Sequence, residues 1–165
     1  MCASRGVQIA REKGIKVIAI DTGPKKRALC IRLGATAFLD FKTDDIEASV
    51  KYLTNGYGAH AVVCPSVMAA YQQAMRLVRN TGTVVCVGLV SEDLPISPFE
   101  MLVRGLRIVG SSVGTPRHMD ELLPLAVEGK VLPLVEVVEF DELDRTLHWL
   151  AKYEVEGRIV VKIPQ

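Results

Sequence analysis

The sequence predicts an α/β fold built on a doubly wound parallel sheet. Short apolar runs alternate with segments of helical period along most of the 165 residues, which is the order expected of β-α units around such a sheet. The apolar runs lack strict polar alternation, so their strands are expected to be buried on both faces. Gly14, Gly34, Gly56, Gly58 and Gly82 fall at the ends of helical segments, where a left-handed cap suits a residue without Cβ.

The predicted elements follow one another without an internal repeat. Helical periodicity marks residues 5–14, 25–34, 44–54, 66–80, 98–105 and 117–130. Apolar runs rich in β-branched residues mark strands at 16–21, 37–41, 59–64, 83–90 and 106–114. Pro95 and Pro98 cannot continue a central strand, so residues 91–100 are expected to form a loop that leads into the next helix.

The tail from residue 135 onward differs in character. Its predicted helix, Asp141 to Lys152, carries Leu143, Leu147 and Leu150 on one stripe. A final strand is expected at 157–163. We expect this tail to pack on something outside the sheet.

Composition narrows the classes of function. The chain is 49% hydrophobic and carries twenty basic against nineteen acidic residues, which leaves a net charge of +1. No charge field therefore favours nucleic acid or an anionic membrane. No apolar stretch approaches the ~20 residues that span a bilayer, and no secretory signal is visible. The four cysteines include no Cys-x-x-Cys pair, and Cys64 and Cys86 end apolar runs, which favours buried structural thiols for these two. A reducing, cytoplasmic setting fits this pattern best.

The stretch from residue 14 to residue 41 is the most specific motif. An apolar strand ends at Asp21, a Thr-Gly-Pro turn follows, and a helical segment leads to Leu33-Gly34-Ala35. This order is that of the second β-α step of a Rossmann unit, whose strand-end carboxylate accepts the ribose hydroxyls of a dinucleotide. A strand and a Gly-x-Gly-x-x-Gly loop should precede the acid by roughly 20 residues. The residues before Asp21 contain no such loop.

Several segments together carry a family resemblance. The run VIAIDTGPKKRALCIRLGA, the strand ends VVCPSV and VVCVGLV, the segment LRIVGSSVGTPRHMDELL and the ending EGRIVVKI occur in unbroken order. They closely resemble the zinc-dependent medium-chain alcohol dehydrogenases, in particular the fungal and bacterial tetrameric type. The resemblance runs from about Val7 to Ile163.

The resemblance implies a Rossmann-like coenzyme domain that lacks its first strand and glycine loop. Residues 1–135 would form this incomplete NAD(P)-binding domain, and residues 136–165 would be the C-terminal segment of the catalytic domain. Met1 to Ser4 stand where the family has its glycines. The part of the family that holds zinc and the proton-relay residues is absent, so we expect the chain to correspond to a truncated or incompletely predicted dehydrogenase.

Asp21 and Lys26 are the candidate residues on the adenosine side. A carboxylate at Asp21 would bind the ribose hydroxyls of NAD and repel the 2′-phosphate of NADP. The alternative is an aspartate that caps the following turn. Lys26 matches the family's adenosine-side lysine, although Lys25 or Arg27 could substitute, or the helix start could simply be solvated.

The remaining candidates lie at strand ends and in the tail. Strand-end positions would line the cleft at the carboxyl edge of the sheet, at Cys64, Ser66, Val87, Gly88 and Leu89. The resemblance implies further contacts, with the nicotinamide carboxamide at Ser111, Ser112 and Val113 and with the pyrophosphate at Arg158. The alternatives are ordinary packing of apolar strand ends and a surface arginine.

The sequence offers no convincing catalytic group. His60, His118 and His148 lie on different predicted elements, and no ligand set for zinc survives. We therefore expect an NAD(H)-binding domain of an alcohol dehydrogenase-like oxidoreductase that binds coenzyme weakly, if at all, holds no zinc and is inactive alone. The alternative is a non-enzymatic, degenerate dehydrogenase domain that acts as a dimerising or interaction module. In either case a homodimer through the strand at 106–112 is expected, because an apolar terminal strand exposes unpaired backbone groups.

Overall fold

The computed structural model describes residues 4–65, 67–152, 155 and 157–164. These residues divide into two compact units, each with its own internal contacts. The first unit takes the described residues of 1–19, 23–38 and 115–165. The second unit takes residues 20–22 and 39–114.

Helices and strands alternate along the chain. The helices are α1 (Ser4–Glu12), α2 (Pro24–Leu33), α3 (Ile46–Leu53), α4 (Met68–Leu77), α5 (Pro98–Arg104), α6 (Pro116–Val127) and α7 (Leu143–Ala151). The strands are β1 (Ile18–Asp21), β2 (Ala37–Asp40), β3 (Ala59–Cys64), β4 (Val78–Cys86), β5 (Arg107–Gly110), β6 (Val135–Glu139) and β7 (Arg158–Lys162).

The strands form three hydrogen-bonded groups. β1 pairs with β2, β3–β4–β5 form a three-stranded sheet, and β6 pairs with β7. The β3–β4, β4–β5 and β6–β7 pairs are all parallel. The α/β class with parallel strands, predicted from the sequence, is confirmed.

Some predicted boundaries are wrong. The helix predicted to reach residue 80 ends at Leu77, and Val78 already begins β4 because it pairs with Ala59 of β3. The strands predicted to reach residues 90 and 114 end at Cys86 and Gly110, which form the last residue pair between β4 and β5. The sequence did not predict β6 as a strand, and its partner β7 lies about 20 residues farther along the chain.

The second unit is built on one buried cluster between α4 and its sheet. Tyr71, Ala74 and Met75 lie at the spacing of one face of α4, and these three residues and Val78 of β4 are at most 9% exposed. They pack with Cys64, Val84 and Leu106 from the strands and the start of β5. Val84, at the centre of the middle strand, has no exposed surface. This packing holds α4 against β3 and β4.

The first unit has a smaller core and several backbone anchors. Val7, Cys30, Ala35 and Phe38 are buried together. Gln8 of α1 is 5% exposed, and its side-chain amide forms two hydrogen bonds with the backbone of Leu132. The Leu132 N–H donates to Gln8 Oε1 at 2.9 Å, and Gln8 Nε2 donates to the Leu132 carbonyl at 3.0 Å. This pair of bonds ties α1 to the segment that leads into β6.

A bulge interrupts the β3–β4 ladder near its amino end. Ala59 pairs with Val78, but Ala61 pairs with Thr83, so β4 carries extra residues between two consecutive pairs. Thr81 has φ 59°, a left-handed conformation that is unusual for a β-branched residue. A Cβ at Gly82 would lie 2.5 Å from Val78 Cγ2 and 2.8 Å from the Arg79 carbonyl oxygen, so the turn requires glycine there.

The turn before β3 provides a matched test of this tight packing. Gly56 and Gly58 have φ 85° and φ 90°, and a Cβ at Gly58 would lie 2.9 Å from the Leu77 carbonyl oxygen, whereas a Cβ at Gly56 would meet nothing within 4 Å. We expect Gly56→Ala to lower the free energy of unfolding by ~1–2 kcal/mol, the cost of left-handed backbone. Gly58→Ala should cost a further ~1–3 kcal/mol for the steric clash. Urea unfolding followed by circular dichroism measures both, and equal losses would contradict the close approach.

Candidate functional site

The carboxyl ends of β3, β4 and β5 form one edge of the sheet in the second unit. Cys64 lies beside Cys86, and Cys86 lies beside Gly110, so the three strands end level with one another. In parallel α/β sheets this edge is where ligands bind. Sequence reasoning placed several of its candidate residues here.

Backbone hydrogen bonds bring several predicted residues together at this edge. The N–H groups of Val87 and Gly88 donate to the Cys64 carbonyl at 3.1 Å and 2.9 Å. The N–H of Ser111 donates to the Cys86 carbonyl at 2.8 Å. Cys64, Val87, Gly88 and Ser111 are therefore neighbours, held by the backbone rather than by their side chains.

The hydroxyl of Tyr71, on α4, binds backbone groups at the same edge. Its oxygen lies 3.0 Å from the Cys64 carbonyl and 2.8 Å from the Gly88 carbonyl, both of which can accept its proton. Tyr71 is 2% exposed. Burial raises the pKa of the phenol, which keeps it protonated as a donor. The loop after β4 is thus tied to the end of β3.

Sequence reasoning missed Tyr71, although a signal for it was present. Tyr71 shares a helix face with Ala74 and Met75, which predicts burial. A buried tyrosine hydroxyl needs a hydrogen-bond partner. Nothing in the sequence identified those partners, because Cys64 and Gly88 contribute only carbonyl groups.

Cys64 offers its backbone, not its thiol, to any chemistry at the edge. The residue is 2% exposed, and burial, with a smaller contribution from the neighbouring Cys86, raises the pKa of the thiol to about 11. A thiol with such a pKa stays protonated near neutral pH and is a poor nucleophile. This agrees with the structural role that the sequence favoured for it.

The next predicted residues point outward from the edge. Leu89 and Val113 are 104% and 93% exposed, and Ser111 and Ser112 are exposed as well. Such apolar exposure next to backbone groups leaves space for a ligand to pack. Ser66 lies outside the described residues.

Asp21 ends β1 and belongs to the second unit. Its backbone carbonyl accepts the N–H of Phe41, and its Oδ1 accepts the N–H of Thr22 at 2.8 Å. The carboxylate is half-buried. α2 begins three residues later, with Gly23 at its N-cap at a positive φ of 99° and Pro24 in its first turn.

Lys26 and Arg158 belong to the first unit. Lys26 lies in the first turn of α2 and is half-buried, while its neighbour Arg27 lies over the Phe38 ring at 5.0 Å. Arg158 begins β7, is exposed, and donates its backbone N–H to the Leu134 carbonyl at 2.8 Å. Because the guanidinium of Arg27 packs on the Phe38 ring, the structure gives no reason to prefer Arg27 to Lys26 as a ligand.

The described residues show neither a metal-binding group nor a membrane span. Within 4–65, 67–152, 155 and 157–164, no three His, Cys, Asp or Glu side chains are grouped so as to hold a metal ion. In the same residues no helix is long and apolar enough to cross a membrane.

The Tyr71 hydroxyl can be tested by removing one atom. We expect Tyr71→Phe to lower the free energy of unfolding by ~1–3 kcal/mol, because two carbonyls lose their buried donor. Tyr57→Phe is the matched control, since Tyr57 is 78% exposed and should change stability little. Urea unfolding compares the two variants, and a Tyr71→Phe protein as stable as the control would show that the hydroxyl does not tie the edge together.

Known proteins resemble this chain along nearly its whole length. An alcohol dehydrogenase from Geobacillus stearothermophilus is 36% identical over 158 residues, which are 95% of this chain and 46% of that enzyme. The structure of the alcohol dehydrogenase from Aeropyrum pernix superposes with a TM-score of 0.87 at 31% identity, over 96% of this chain and 46% of the other. That of acetophenone reductase from Geotrichum candidum, in complex with NAD, gives 0.80 at 30% identity, over 95% and 44%.

These matches confirm the Rossmann-like fold and the family. This chain spans about half the length of the relatives it matches. The sequence model of the zinc-binding dehydrogenases matches residues 4–128, the greater part of the chain. The protein therefore belongs to the zinc-binding dehydrogenase family.

Proposed function

We propose that this chain is the NAD(H)-binding domain of an alcohol dehydrogenase-like oxidoreductase. The observation that carries the proposal is Asp21, a carboxylate at the end of β1 followed within three residues by the start of α2. This is the position from which a Rossmann domain binds the adenosine ribose. The NAD found in the related acetophenone reductase supports the same ligand class.

The residues of the second unit fit the proposed coenzyme in charge and exposure. Asp21 is half-buried, so its negative charge is partly shielded from water and would repel a 2′-phosphate more strongly than an exposed carboxylate would. Val87, Gly88 and Ser111 present backbone groups at the carboxyl edge, with Leu89 and Val113 exposed beside them. Bound there, NAD would supply the hydride acceptor.

The remaining assignments rest on the family resemblance. Lys26 would approach the adenosine side, Arg158 the pyrophosphate, and Ser111, Ser112 and Val113 the nicotinamide carboxamide. Cys64 and Ser66 would belong to the cleft wall. Arg158 is exposed and suited to an anion through its paired donors.

We infer that residues 1–165 do not oxidise alcohols without further protein. The family name refers to bound zinc, which would polarise an alcohol oxygen. The described residues offer no group of three side chains that fits such an ion. Residues 136–165 would be the C-terminal segment of the catalytic part.

The described cysteines Cys30, Cys64 and Cys86 are free thiols, which fits the proposed cytoplasmic setting.

We further propose a homodimer through residues 106–112. β5 pairs with β4 on one side only within the described residues, so the backbone groups of its other edge are available to a second copy. Val109 of β5 is 47% exposed. Two such strands related by a two-fold axis would continue the sheet across the dimer.

Coenzyme selectivity tests the role of Asp21. We expect the chain to bind NADH more tightly than NADPH, and Asp21→Ala to weaken NADH binding about 10-fold or more, as for loss of a charged hydrogen-bond acceptor. The same change should narrow the gap between the coenzymes, because repulsion of the 2′-phosphate disappears. Fluorescence titration with each coenzyme measures both affinities.

The matched control is Asp93→Ala, which removes one carboxylate from an exposed loop of the same unit. It should leave both affinities unchanged. Equal affinities of the unmodified chain for NADH and NADPH would remove Asp21 from the site. A chain that binds neither coenzyme but still dimerises would favour the alternative, a degenerate dehydrogenase domain kept as an interaction module.

Charge on β5 tests the dimer. We expect the unmodified chain to be a dimer in light scattering and Val109→Lys to be a monomer, because lysine on an edge strand opposes pairing with another strand. Val160→Lys is the control, since Val160 is also 47% exposed but lies on β7. It should remain a dimer. A monomeric unmodified chain would overturn the proposal.

A further inference from the structure

A second cleft lies at the opposite end of β3 and β4, also within the second unit. Gly58, directly before β3, and Val78, the first residue of β4, both line it, so it adjoins the amino ends of these strands. Its volume is about 580 Å³, within the range of small-molecule sites. The carboxyl edge, proposed above for the coenzyme, is at the other end of the same strands.

The cleft carries an excess of positive charge. Four cations line it, Lys51, Arg76, Arg79 and Arg104, against the single carboxylate of Glu47. Glu47 already forms an ion pair with Arg76, with Oε1 2.7 Å from Nε. Glu100, outside the lining, pairs with Arg104.

The guanidinium of Arg104 already bonds to several other groups of the protein. Besides Glu100, its guanidinium donates to the Met75 carbonyl at 2.8 Å, to the Val78 carbonyl at 2.5 Å and to Asn80 Oδ1 at 3.3 Å. It therefore links the end of α4 to the start of β4 and is a structural residue. Two positive charges, Lys51 and Arg79, are left without a carboxylate partner among the residues that the structure describes.

Arg79 is held in the cleft at a cost. The bulge between the Ala59–Val78 and Ala61–Thr83 pairs lifts Arg79 out of the ladder, and left-handed Thr81 completes the turn. In the described part of the chain, the Nε of Arg79 is buried and has no hydrogen-bond acceptor. A buried donor without an acceptor is destabilising. Because the residue lines the cleft but its Nε is buried, an anion would meet Arg79 through guanidinium nitrogens other than Nε.

We propose that this cleft binds a small phosphate-bearing anion, with Lys51 and Arg79 as its main ligands. The two unpaired cations match the charge of a phosphate dianion. Guanidinium and ammonium groups together recognise phosphate oxygens, the first as a planar fork and the second as a point charge. Tyr57, 78% exposed on the rim, offers a ring on which the organic part of a phosphate ester could stack.

The test uses inorganic pyrophosphate as the probe and calorimetry on the whole chain. We expect saturable binding that weakens as salt is added, because the contacts are ionic. Lys51→Met and Arg79→Met should each raise the dissociation constant about 10-fold, as for loss of one charge-assisted contact. Lys51 is exposed on α3, so its variant should fold even if Arg79→Met does not.

Two control variants establish whether the probe binds in this cleft. Lys42→Met removes an exposed charge of the same unit that does not line the cleft, and it should leave binding unchanged. Binding that is lost in Arg158→Ala but kept in Lys51→Met would place the probe in the proposed coenzyme site and overturn the proposal. No saturable binding, equal binding by Lys51→Met and the unmodified chain, or tighter binding of citrate than of pyrophosphate would each overturn it as well.

Discussion

The parallel hydrogen bonds that join β3, β4 and β5 are the interaction on which the second unit depends. They align the three strands so that Cys64, Cys86 and Gly110 end at one level. The backbone groups beyond those ends then have fixed positions, and the Tyr71 hydroxyl holds them there. The same ladder, interrupted by its bulge, shapes the second cleft at the other end, which is lined by Lys51 and three arginines and is called the basic cleft below. The carboxyl edge and the basic cleft therefore follow from one set of strand pairs.

From β1 to β5 the described strands form two separate hydrogen-bonded groups, β1–β2 and β3–β4–β5. Rossmann sheets have the strand order 3-2-1-4-5-6, so the first strand separates the second from the fourth. If β1 to β5 correspond to strands two to six, β1 and β3 should have no bond to each other. Among the described residues β1 pairs only with β2, and β3 only with β4.

The polar chemistry of the chain is concentrated at strand ends rather than in the core. Buried side chains such as Cys64 and Tyr71 keep their protons, because burial disfavours the charged form of each. They fix backbone groups and carry no charge. Two of the charged groups proposed to meet ligands lie in the strands, Asp21 at the end of β1 and Arg79 in the bulge of β4. This division separates the residues that hold the sheet together from those proposed to meet ligands.

The sequence by itself determined the α/β class, the order of most helices and strands, and the family. These depend on local periodicity and on motifs such as the strand ending at Asp21, which short stretches of chain contain in full. Only the tertiary structure decided the early start of β4 at Val78, the pairing of β6 with β7, the Tyr71 hydrogen bonds and the basic cleft. Each of these joins residues that are not neighbours in sequence. Arg79 in particular lay inside a predicted helix, and pairing with β3 overrode that local preference and turned it into part of a bulge.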